Sequence, residues 1–317
     1  MMLLYQDRAI FIHAFNHRLG SVQRNLQELQ AEKLLVGTVD SLSEVGYRQN
    51  FGLAKDESLL NLASTPLSLA LRFAPAPRAL ICQHCYAESA VLACDVYEVD
   101  IALRNRYFPA ELMRKLQLDH IPYFCSFASG CTGFISILVL AGGLFSSSDE
   151  SPAICLVADN MPPGVPYNMA RERILGSDHS SAFVIGPEQR GYQLLGINYY
   201  STTRTAVPFV EIIKRTVQMI QELATNLQLD LAGNDMAIHY PNIFPNTWKI
   251  VTRHLRLQRV EHVVDGMAER AHCMDSDSVI SLAKLHHGRG GRLHVVVNYG
   301  VGLHLGVCIL KEQDANG

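Results

Sequence analysis

The sequence predicts an α/β fold made of two similar halves, with helices buried between layers of sheet. Short apolar runs typical of strands alternate with longer runs of helical spacing. This alternation occurs twice, with short loops, as in layered domains. The longest apolar run, from Phe134 to Phe145, is apolar on nearly all sides. Such a helix lies inside a large protein rather than on its surface.

The first half is predicted to span residues 1–186. Apolar spacing at Leu59, Leu62 and Leu67 predicts a helix over Ser58–Phe73. The segment Leu92–Arg106 interrupts the alternation and carries several carboxylates, so we expect a solvated loop or a cap over a site. The other predicted elements are the strands Ala9–Ala14, Arg78–Gln83, Ala153–Ala158 and Ser181–Ile185 and the helices Ala110–Leu118 and Thr132–Leu144.

The second half is predicted to span residues 187–317 and to repeat the scheme. A long amphipathic helix is expected over Pro208–Leu227 because its apolar residues recur every three or four positions. The remaining predictions are the strands Tyr192–Tyr200, Met236–His239, His294–Asn298 and Gly306–Lys311 and the helices Asn246–Leu255 and Ser276–Leu285.

Composition excludes several classes of protein. With 317 residues and 48% hydrophobic content, the chain suits one or two globular domains. The net charge of -3 and the absence of a Lys/Arg run argue against nucleic-acid binding. Asp7 and Arg8 interrupt the apolar N-terminus before a signal sequence could form, and the longest apolar run is too short to span a bilayer. A cytoplasmic protein without membrane contact is therefore expected.

The cysteine pattern points to a reducing compartment, because the eight cysteines show no disulfide-framework spacing. Cys82 and Cys85 form the only C-x-x-C pair of the sequence, whereas a zinc site of this type usually needs a second pair. Core packing is therefore favoured over a metal site. No metal or cofactor is predicted.

Cys131 is the candidate nucleophile. It stands between Gly130 and Gly133, at the start of the predicted buried helix. Unpaired backbone N–H groups and the macrodipole at a helix N-terminus favour a negative charge, and the thiolate is the reactive form of cysteine. The glycines permit a sharp turn and close approach of a ligand to the backbone. The alternative for any free cysteine is that of a small core residue.

Five short motifs, in this order along the chain, carry a resemblance to a known family. They are Gly46–Gln49, Gly130–Phe134, Gly176–Ala182, Ile238–Asn242 and Tyr299–Gly302. The chain thereby resembles the thiolase superfamily, and most of all its β-ketoacyl-acyl-carrier-protein synthase III branch with the acyltransferase relatives. The resemblance implies a layered α-β-α-β-α fold, a homodimer built on extended central sheets, and His239 as a catalytic residue beside Cys131.

The chain departs from this family where relatives carry a catalytic asparagine in a Gly-Asn-Thr-Ser-Ala-Ala stretch. Matching Ser276 to the family serine places Met274 at the asparagine position, whereas a shift of two residues places His272 there. We take His272 as the replacement because its side chain can form the missing hydrogen bonds. Asp275 and Asp277 are candidates to orient it. Asn242 is a further candidate, with a local structural cap as the alternative.

The resemblance implies that Cys131 attacks an acyl thioester carried by coenzyme A or an acyl-carrier protein. The backbone N–H groups of Cys131 and Val301 would then hold the oxyanion. His239 would act as acid or base, since histidine titrates near neutrality. A histidine near a carboxylate also suits removal of a proton from a small-molecule or carrier-bound acceptor. Arg104, Arg106, Arg204 and Arg215 are unranked candidates to meet the phosphates of the thioester carrier.

The leading hypothesis is therefore an acyltransferase of specialised or fatty-acid-related metabolism that works through an acyl-Cys131 intermediate. One alternative is a decarboxylating β-ketoacyl synthase that condenses the acyl group with a malonyl thioester. The other is a non-catalytic, ketosynthase-like partner subunit, which would not need both Cys131 and His239.

Overall fold

The computed structural model describes residues 1–83, 101–118, 120–126, 130–145, 151–162, 164–168, 173–204, 207–257, 259–288, 290–300 and 304–314, and for residues 101–107 the backbone alone. Within these ranges the strands are β1 Met2–Leu4, β2 Phe11–Leu19, β3 Val22–Asn25, β4 Gln49–Gly52, β5 Ala79–Gln83, β6 Tyr123–Ser126, β7 Ala153–Asp159, β8 His179–Gly186, β9 Tyr192–Ser201, β10 Met236–His239, β11 Val260–Val263, β12 Leu293–Gly300 and β13 His304–Glu312.

The helices alternate with these strands. They are α1 Leu26–Ala31, α2 Val39–Val45, α3 Leu59–Leu71, α4 Ile101–Lys115, α5 Gly133–Leu144, α6 Phe209–Asn226, α7 Pro245–Leu255, α8 Met267–Arg270 and α9 Ser276–Leu285. None of the helices in the described ranges has both the length and the apolar content needed to cross a membrane.

The strands of the two halves join into one mixed sheet of 11 strands, ordered β11-β10-β12-β13-β9-β2-β8-β7-β5-β6 with β1 beside β9. The halves meet where β2 pairs with β9 at Phe11 and Ile12. Strand β8 ends at Gly186 and β9 begins at Tyr192, so the boundary expected after residue 186 falls in their connection. The division into two domains stays a prediction.

Side chains that alternate along the strands build the layers. In β5, Leu80 and Cys82 face a cluster with α3 and α4, whereas Ile81 faces the opposite cluster with α5. On the far side, α6 and α7 cover β10, β12 and β13. Because α5 packs against strands of both halves of this sheet, among them β5 and β7 from the first and β12 and β13 from the second, Phe134, Ile135 and Ile137 are fully buried. The predicted α-β-α-β-α arrangement is confirmed.

One predicted segment differs in part. For Leu92–Arg106 we expect a solvated loop or a cap; its last residues, from Ile101 on, are helical because α4 begins there, and residues 92–100 lie outside the described residues. The charges of this segment suit the solvated face of a helix as well as a loop. Phe108, Leu112 and Met113, on one face of α4, pack into the cluster with α3 and anchor the helix.

Candidate active site

Cys131 lies in a short 3-10 turn, Gly130–Thr132, immediately before α5. The turn begins at Gly130, whose φ of +52° is the left-handed conformation that glycine adopts without strain. Cys131 is half-buried, and its Sγ lies 3.4 Å from Sδ of Met274. The residues before the turn, 127–129, are outside the described part of the chain.

His272 lies in the loop between α8 and α9 and is 1% exposed. The backbone holds the loop in place, because His272 N–H donates to Leu175 O at 2.9 Å and Ser177 N–H donates to His272 O at 3.0 Å. The ring nitrogen Nδ1 lies 2.6 Å from Oδ2 of Asp277. Nε2 is therefore the nitrogen left for other partners, and the Cys131 thiol is near enough to influence the titration of this ring.

Asp277 is the anion of the site, and four donors besides His272 point at it. Its Oδ1 accepts hydrogen bonds from the Arg270 guanidinium, from Cys273 N–H at 3.1 Å and from the Asn242 side-chain amide at 3.1 Å. Its Oδ2 accepts one from Asn242 N–H at 2.9 Å. Burial disfavours a carboxylate here, but Arg270 and His272 outweigh burial and hold the pKa of Asp277 at about 2.

The Asp277 carboxylate in turn fixes the charge of His272. Burial of the imidazole favours its neutral form, but Asp277 outweighs burial and, with a smaller contribution from Cys131, raises the pKa of His272 to about 10. At neutral pH the ring is therefore protonated, with Nδ1–H donated to the carboxylate. Nε2–H is then available to stabilise a negative charge on a nearby sulfur.

The other candidate carboxylate, Asp275, has a different partner. Its Oδ1 accepts the Gly133 N–H at 2.6 Å, in the first turn of α5. The approach is so close that a Cβ on Gly133 would overlap Asp275 Oδ2, so only glycine fits there. Asp275 therefore occupies the helix N-terminus that was expected to favour a Cys131 thiolate. Of the two candidates, it is Asp277 that contacts His272.

Asn242 combines both alternatives left open for it. Its backbone N–H and its side-chain amide donate to Asp277, as an orienting residue would, and the amide also donates to Ala271 O at 3.0 Å. Tyr47, from the first of the five motifs, donates its hydroxyl to Asn242 O at 2.6 Å. The first and fourth motifs thus meet behind the site.

His239 belongs to a second buried hydrogen-bond network, with Ser281 and His294. Its Nδ1 lies 2.9 Å from Ser281 Oγ and its Nε2 lies 2.9 Å from His294 Nδ1, while His294 Nε2 lies 3.3 Å from Glu312 Oε2. Burial first, and then the charges of His294 and Arg292, hold the pKa of His239 well below the usual range. Both ring nitrogens are thus engaged in this buried network, and the catalytic role of His239 stays a prediction.

The expected oxyanion site is described only in part. Val301 lies outside the described residues, so its backbone N–H is not located. The loops that would form the site do approach each other, since a Cβ on Gly130 would lie 3.7 Å from Gly300 Cα. The Cys131 N–H belongs to the same turn as Gly130, the residue that approaches Gly300.

Two contacts of the site were missed by sequence reasoning. Arg270 neutralises Asp277, and no motif singles it out. Met274, considered only as an alignment alternative, lies against the Cys131 sulfur. The spacing of Arg270 and Asp277, on either side of His272, was the available signal for the first contact.

No protein-family description matches this chain, and no curated protein sequence does. Solved structures do match. ChlB3, described as an acyltransferase, is 16% identical with a TM-score of 0.77 over 96% of this chain and 98% of its own. The 3-oxoacyl-(acyl carrier protein) synthase III of Pseudomonas aeruginosa PAO1 is 20% identical with a TM-score of 0.72 over 97% and 99%.

OleA of Xanthomonas campestris, in a variant with one histidine replaced by aspartate, is 14% identical with a TM-score of 0.71 over 95% of this chain and 98% of its own. At such identities the likeness concerns the fold. Together with the layered sheet, it confirms the predicted resemblance at that level: the chain has the thiolase fold, in the form shared by ketosynthase III-like enzymes.

Proposed function

We propose that the protein is a thioester-dependent acyltransferase of the ketosynthase III-like type, which forms an acyl-Cys131 intermediate and passes the acyl group to an acceptor. The observation that carries the proposal is the arrangement of the half-buried Cys131 with the buried His272 and Asp277, with 2.6 Å between His272 Nδ1 and Asp277 Oδ2. A nucleophile, a base beside it and a third group that orients the base are the parts that acyl transfer requires.

In the acylation step, the Cys131 sulfur attacks the thioester carbonyl carbon and the bond to the donor sulfur breaks. The departing thiolate takes the Nε2 proton of His272, which leaves the imidazole neutral. The oxyanion that forms on the way would be held by backbone N–H groups of Cys131 and Val301.

In the transfer step, the neutral His272 removes a proton from an alcohol or amine acceptor as the acceptor attacks the acyl carbon. The Cys131 thiolate departs and the imidazolium is restored beside Asp277, so the proton count closes over one cycle. Asp277 is needed in both steps because it stabilises the protonated ring and holds Nε2 toward the sulfur.

Decarboxylating condensation is the less favoured alternative. It requires two neutral donors for the malonyl thioester oxygen. After acylation the neutral His272 keeps its remaining proton on Nδ1, toward Asp277, so its Nε2 accepts and does not donate. The nitrogens of His239 are engaged with Ser281 and His294. The non-catalytic partner subunit is also disfavoured, because such a subunit has no need for the Cys131–His272–Asp277 arrangement.

A groove beside the site is our candidate for the donor carrier, coenzyme A or an acyl-carrier protein. It has a volume of about 950 Å³ and is lined by α2, by the start of α7 and by α8. Two of these elements adjoin site residues in the sequence, because Asn242 precedes α7 and His272 follows α8. Arg173 and Lys249 offer it positive charge and Glu44 and Glu269 negative charge.

None of the four arginines that the sequence offered as phosphate contacts lines this groove with a side chain that the structure describes. Arg204 is paired with Glu211 at 2.7 Å, and Arg215 lies over the Tyr200 ring, 4.6 Å from its centroid. The side chains of Arg104 and Arg106 lie outside the described part of the chain. We therefore favour Arg173 and Lys249 as the phosphate contacts.

We also propose a homodimer that extends the sheet at β6. Within the described residues β6 is an edge strand paired only with β5, and its Tyr123 and Phe124 are 38% and 45% exposed. Exposed apolar edge strands invite pairing with a second chain. Sedimentation as a monomer at micromolar concentration would count against it.

The acyltransferase proposal is tested by intact-protein mass spectrometry after incubation with short acyl-CoA thioesters. We expect one added acyl group, absent in Cys131→Ala and retained in Cys125→Ala, a matched loss of an exposed thiol. The acylated protein is then offered amine or alcohol acceptors in one tube and malonyl-CoA in another. Release of CO2 from malonyl-CoA with no acceptor acylated would refute acyl transfer in favour of condensation.

A further inference from the structure

A small buried cavity lies beyond Met274 as seen from Cys131. It has a volume of about 10 Å³, and its lining includes Asp159, Asn160, His179 and Met274. That volume accommodates the centre of one water-sized group. In the ladder between β7 and β8, Asp159 is the register partner of His179, so these two side chains lie side by side on the same face.

Two side-chain atoms around this cavity have no hydrogen-bond partner within the described residues: His179 Nε2 and Asn160 Oδ1. The other polar atoms of both side chains are engaged, because His179 Nδ1 lies 2.8 Å from Ser276 Oγ and Asn160 Nδ2 donates to Met161 O at 3.0 Å. His179 is fully buried and Asn160 is 6% exposed. An unpaired polar atom at such depth is costly, which points to a ligand group that completes the set.

The hydroxyl chain behind His179 indicates which group fits. Ser181 Oγ and Ser276 Oγ lie 2.8 Å apart, and Ser276 Oγ contacts His179 Nδ1. When each hydroxyl donates toward His179, Nδ1 accepts and the neutral ring carries its proton on Nε2. The two unpaired atoms at the cavity are then one donor, His179 Nε2–H, and one acceptor, Asn160 Oδ1, and a single hydroxyl group can pair with both.

Met274 separates this cavity from the nucleophile. Its Sδ lies 3.4 Å from Cys131 Sγ, and its methyl group would lie 3.5 Å from a Cβ on Gly176, which lines the cavity. Its φ of 44° is left-handed, a strained backbone of the kind that collects at ligand sites. The side chain itself is unbranched and adaptable, so it can yield to an acyl chain attached to the sulfur.

We infer that this cavity is the subsite for a hydroxyl group that the acyl donor carries close to its thioester carbonyl, so that the substrates are short hydroxyacyl thioesters. The inference rests on the proposed function. An unsubstituted acyl chain that reached the cavity would exclude water from His179 Nε2 and Asn160 Oδ1 and leave both atoms without a hydrogen-bond partner. Sites built to pair with a substrate hydroxyl discriminate against the analogue without it for this reason.

The test compares single-turnover acylation of Cys131 by 3-hydroxybutyryl-CoA and by butyryl-CoA, followed by intact mass. We expect the hydroxylated thioester to react at least about tenfold faster in the parent protein. Asn160→Leu removes the acceptor and fills the cavity with apolar atoms, so the preference should vanish. Asn160→Ala serves if that variant does not fold. Asn198→Leu, which removes an equally buried amide outside the cavity, should keep the preference.

Equal rates for both thioesters in the parent protein would overturn the subsite while leaving the acyltransferase proposal in place. A preference that persists in both Asn160 variants would overturn it as well. If neither thioester acylates Cys131, then the proposed function itself fails and the subsite fails with it. These outcomes are distinguishable in one set of spectra.

Discussion

Replacing Asp277 with asparagine should lower the reactivity of the Cys131 thiol, although Cys131 itself is unchanged. The substitution keeps the size of the side chain but removes the charge that His272 and Arg270 share. The asparagine amide can also donate toward His272 Nδ1, which would then accept and reverse the order of the hydrogen bond. Nε2 would still carry a proton, but the ring would be neutral and the positive charge beside the sulfur would be lost.

The magnitude follows from burial and charge. Without Asp277, burial of His272 opposes protonation and only the interactions with Cys131 still favour it, so the pKa of His272 should fall well below about 10. Loss of the orienting carboxylate in a catalytic triad lowers kcat by about 10⁴-fold. Arg270, 6% exposed, also loses its buried partner, which costs roughly 3–5 kcal/mol of the free energy of unfolding.

The assay is the rate of Cys131 alkylation by iodoacetamide at pH 7, together with acyl transfer and the midpoint of urea unfolding. Asp178→Asn is the matched control, because Asp178 is also a buried carboxylate that accepts from Met161 N–H and Leu53 N–H, but it does not contact His272. We expect alkylation to fall at least tenfold in Asp277→Asn and to persist in folded Asp178→Asn. Parental alkylation by a folded Asp277→Asn protein would refute the argument that His272 and Asp277 activate the thiol.

Two further predictions concern the histidines and pH. His239→Gln should lower the melting temperature but leave Cys131 alkylation within about twofold of the parent, whereas His272→Gln should abolish fast alkylation; equal losses in the two variants would restore His239 to the site. The raised pKa of His272 should contribute stability in full below pH 6.5 that is lost as pH rises toward about 10, and the lowered pKa of Asp277 should contribute stability above pH 3.8 that is lost as pH falls toward about 2. Urea midpoints should therefore be highest between pH 3.8 and pH 6.5, where both contributions are present in full. A decline at alkaline pH that survives in Asp277→Asn would contradict its assignment to His272.

Most elements of the fold could be predicted because their apolar periodicity is local. Helix α9 runs over the predicted Ser276–Leu285, and β10 over the predicted Met236–His239. The start of α4 could not be predicted, because the charged residues near Ile101 suit a loop and the solvated face of a helix equally. The helix forms there because later residues of α4 pack on α3, and that contact joins segments distant in sequence.

In the site, too, contacts between residues close in sequence could be predicted and contacts between distant residues could not. His272 and Asp277 are five positions apart, so a carboxylate partner for His272 was visible in the sequence, although not which of Asp275 and Asp277 it would be. The surroundings of His239 were not visible. Its partner His294 is 55 positions away on β12, and only the register of β10 beside β12 brings the two rings together. A motif indicates that a histidine is present but not which side of a strand it faces.

The environments of the two histidines show how this site sets its chemistry. Both rings are buried and would be neutral on that ground alone. Burial lowers the pKa of His239, and His294 and Arg292 lower it further, whereas the Asp277 carboxylate outweighs burial and raises the pKa of His272 to about 10. At the N-terminus of α5, Asp275 already accepts the Gly133 N–H, and its carboxylate reduces the positive potential that the helix offers a thiolate. In the proposed mechanism, activation of Cys131 therefore depends on the His272 cation, and a ring that gives up its proton during acylation would be free to take another from an acceptor afterwards.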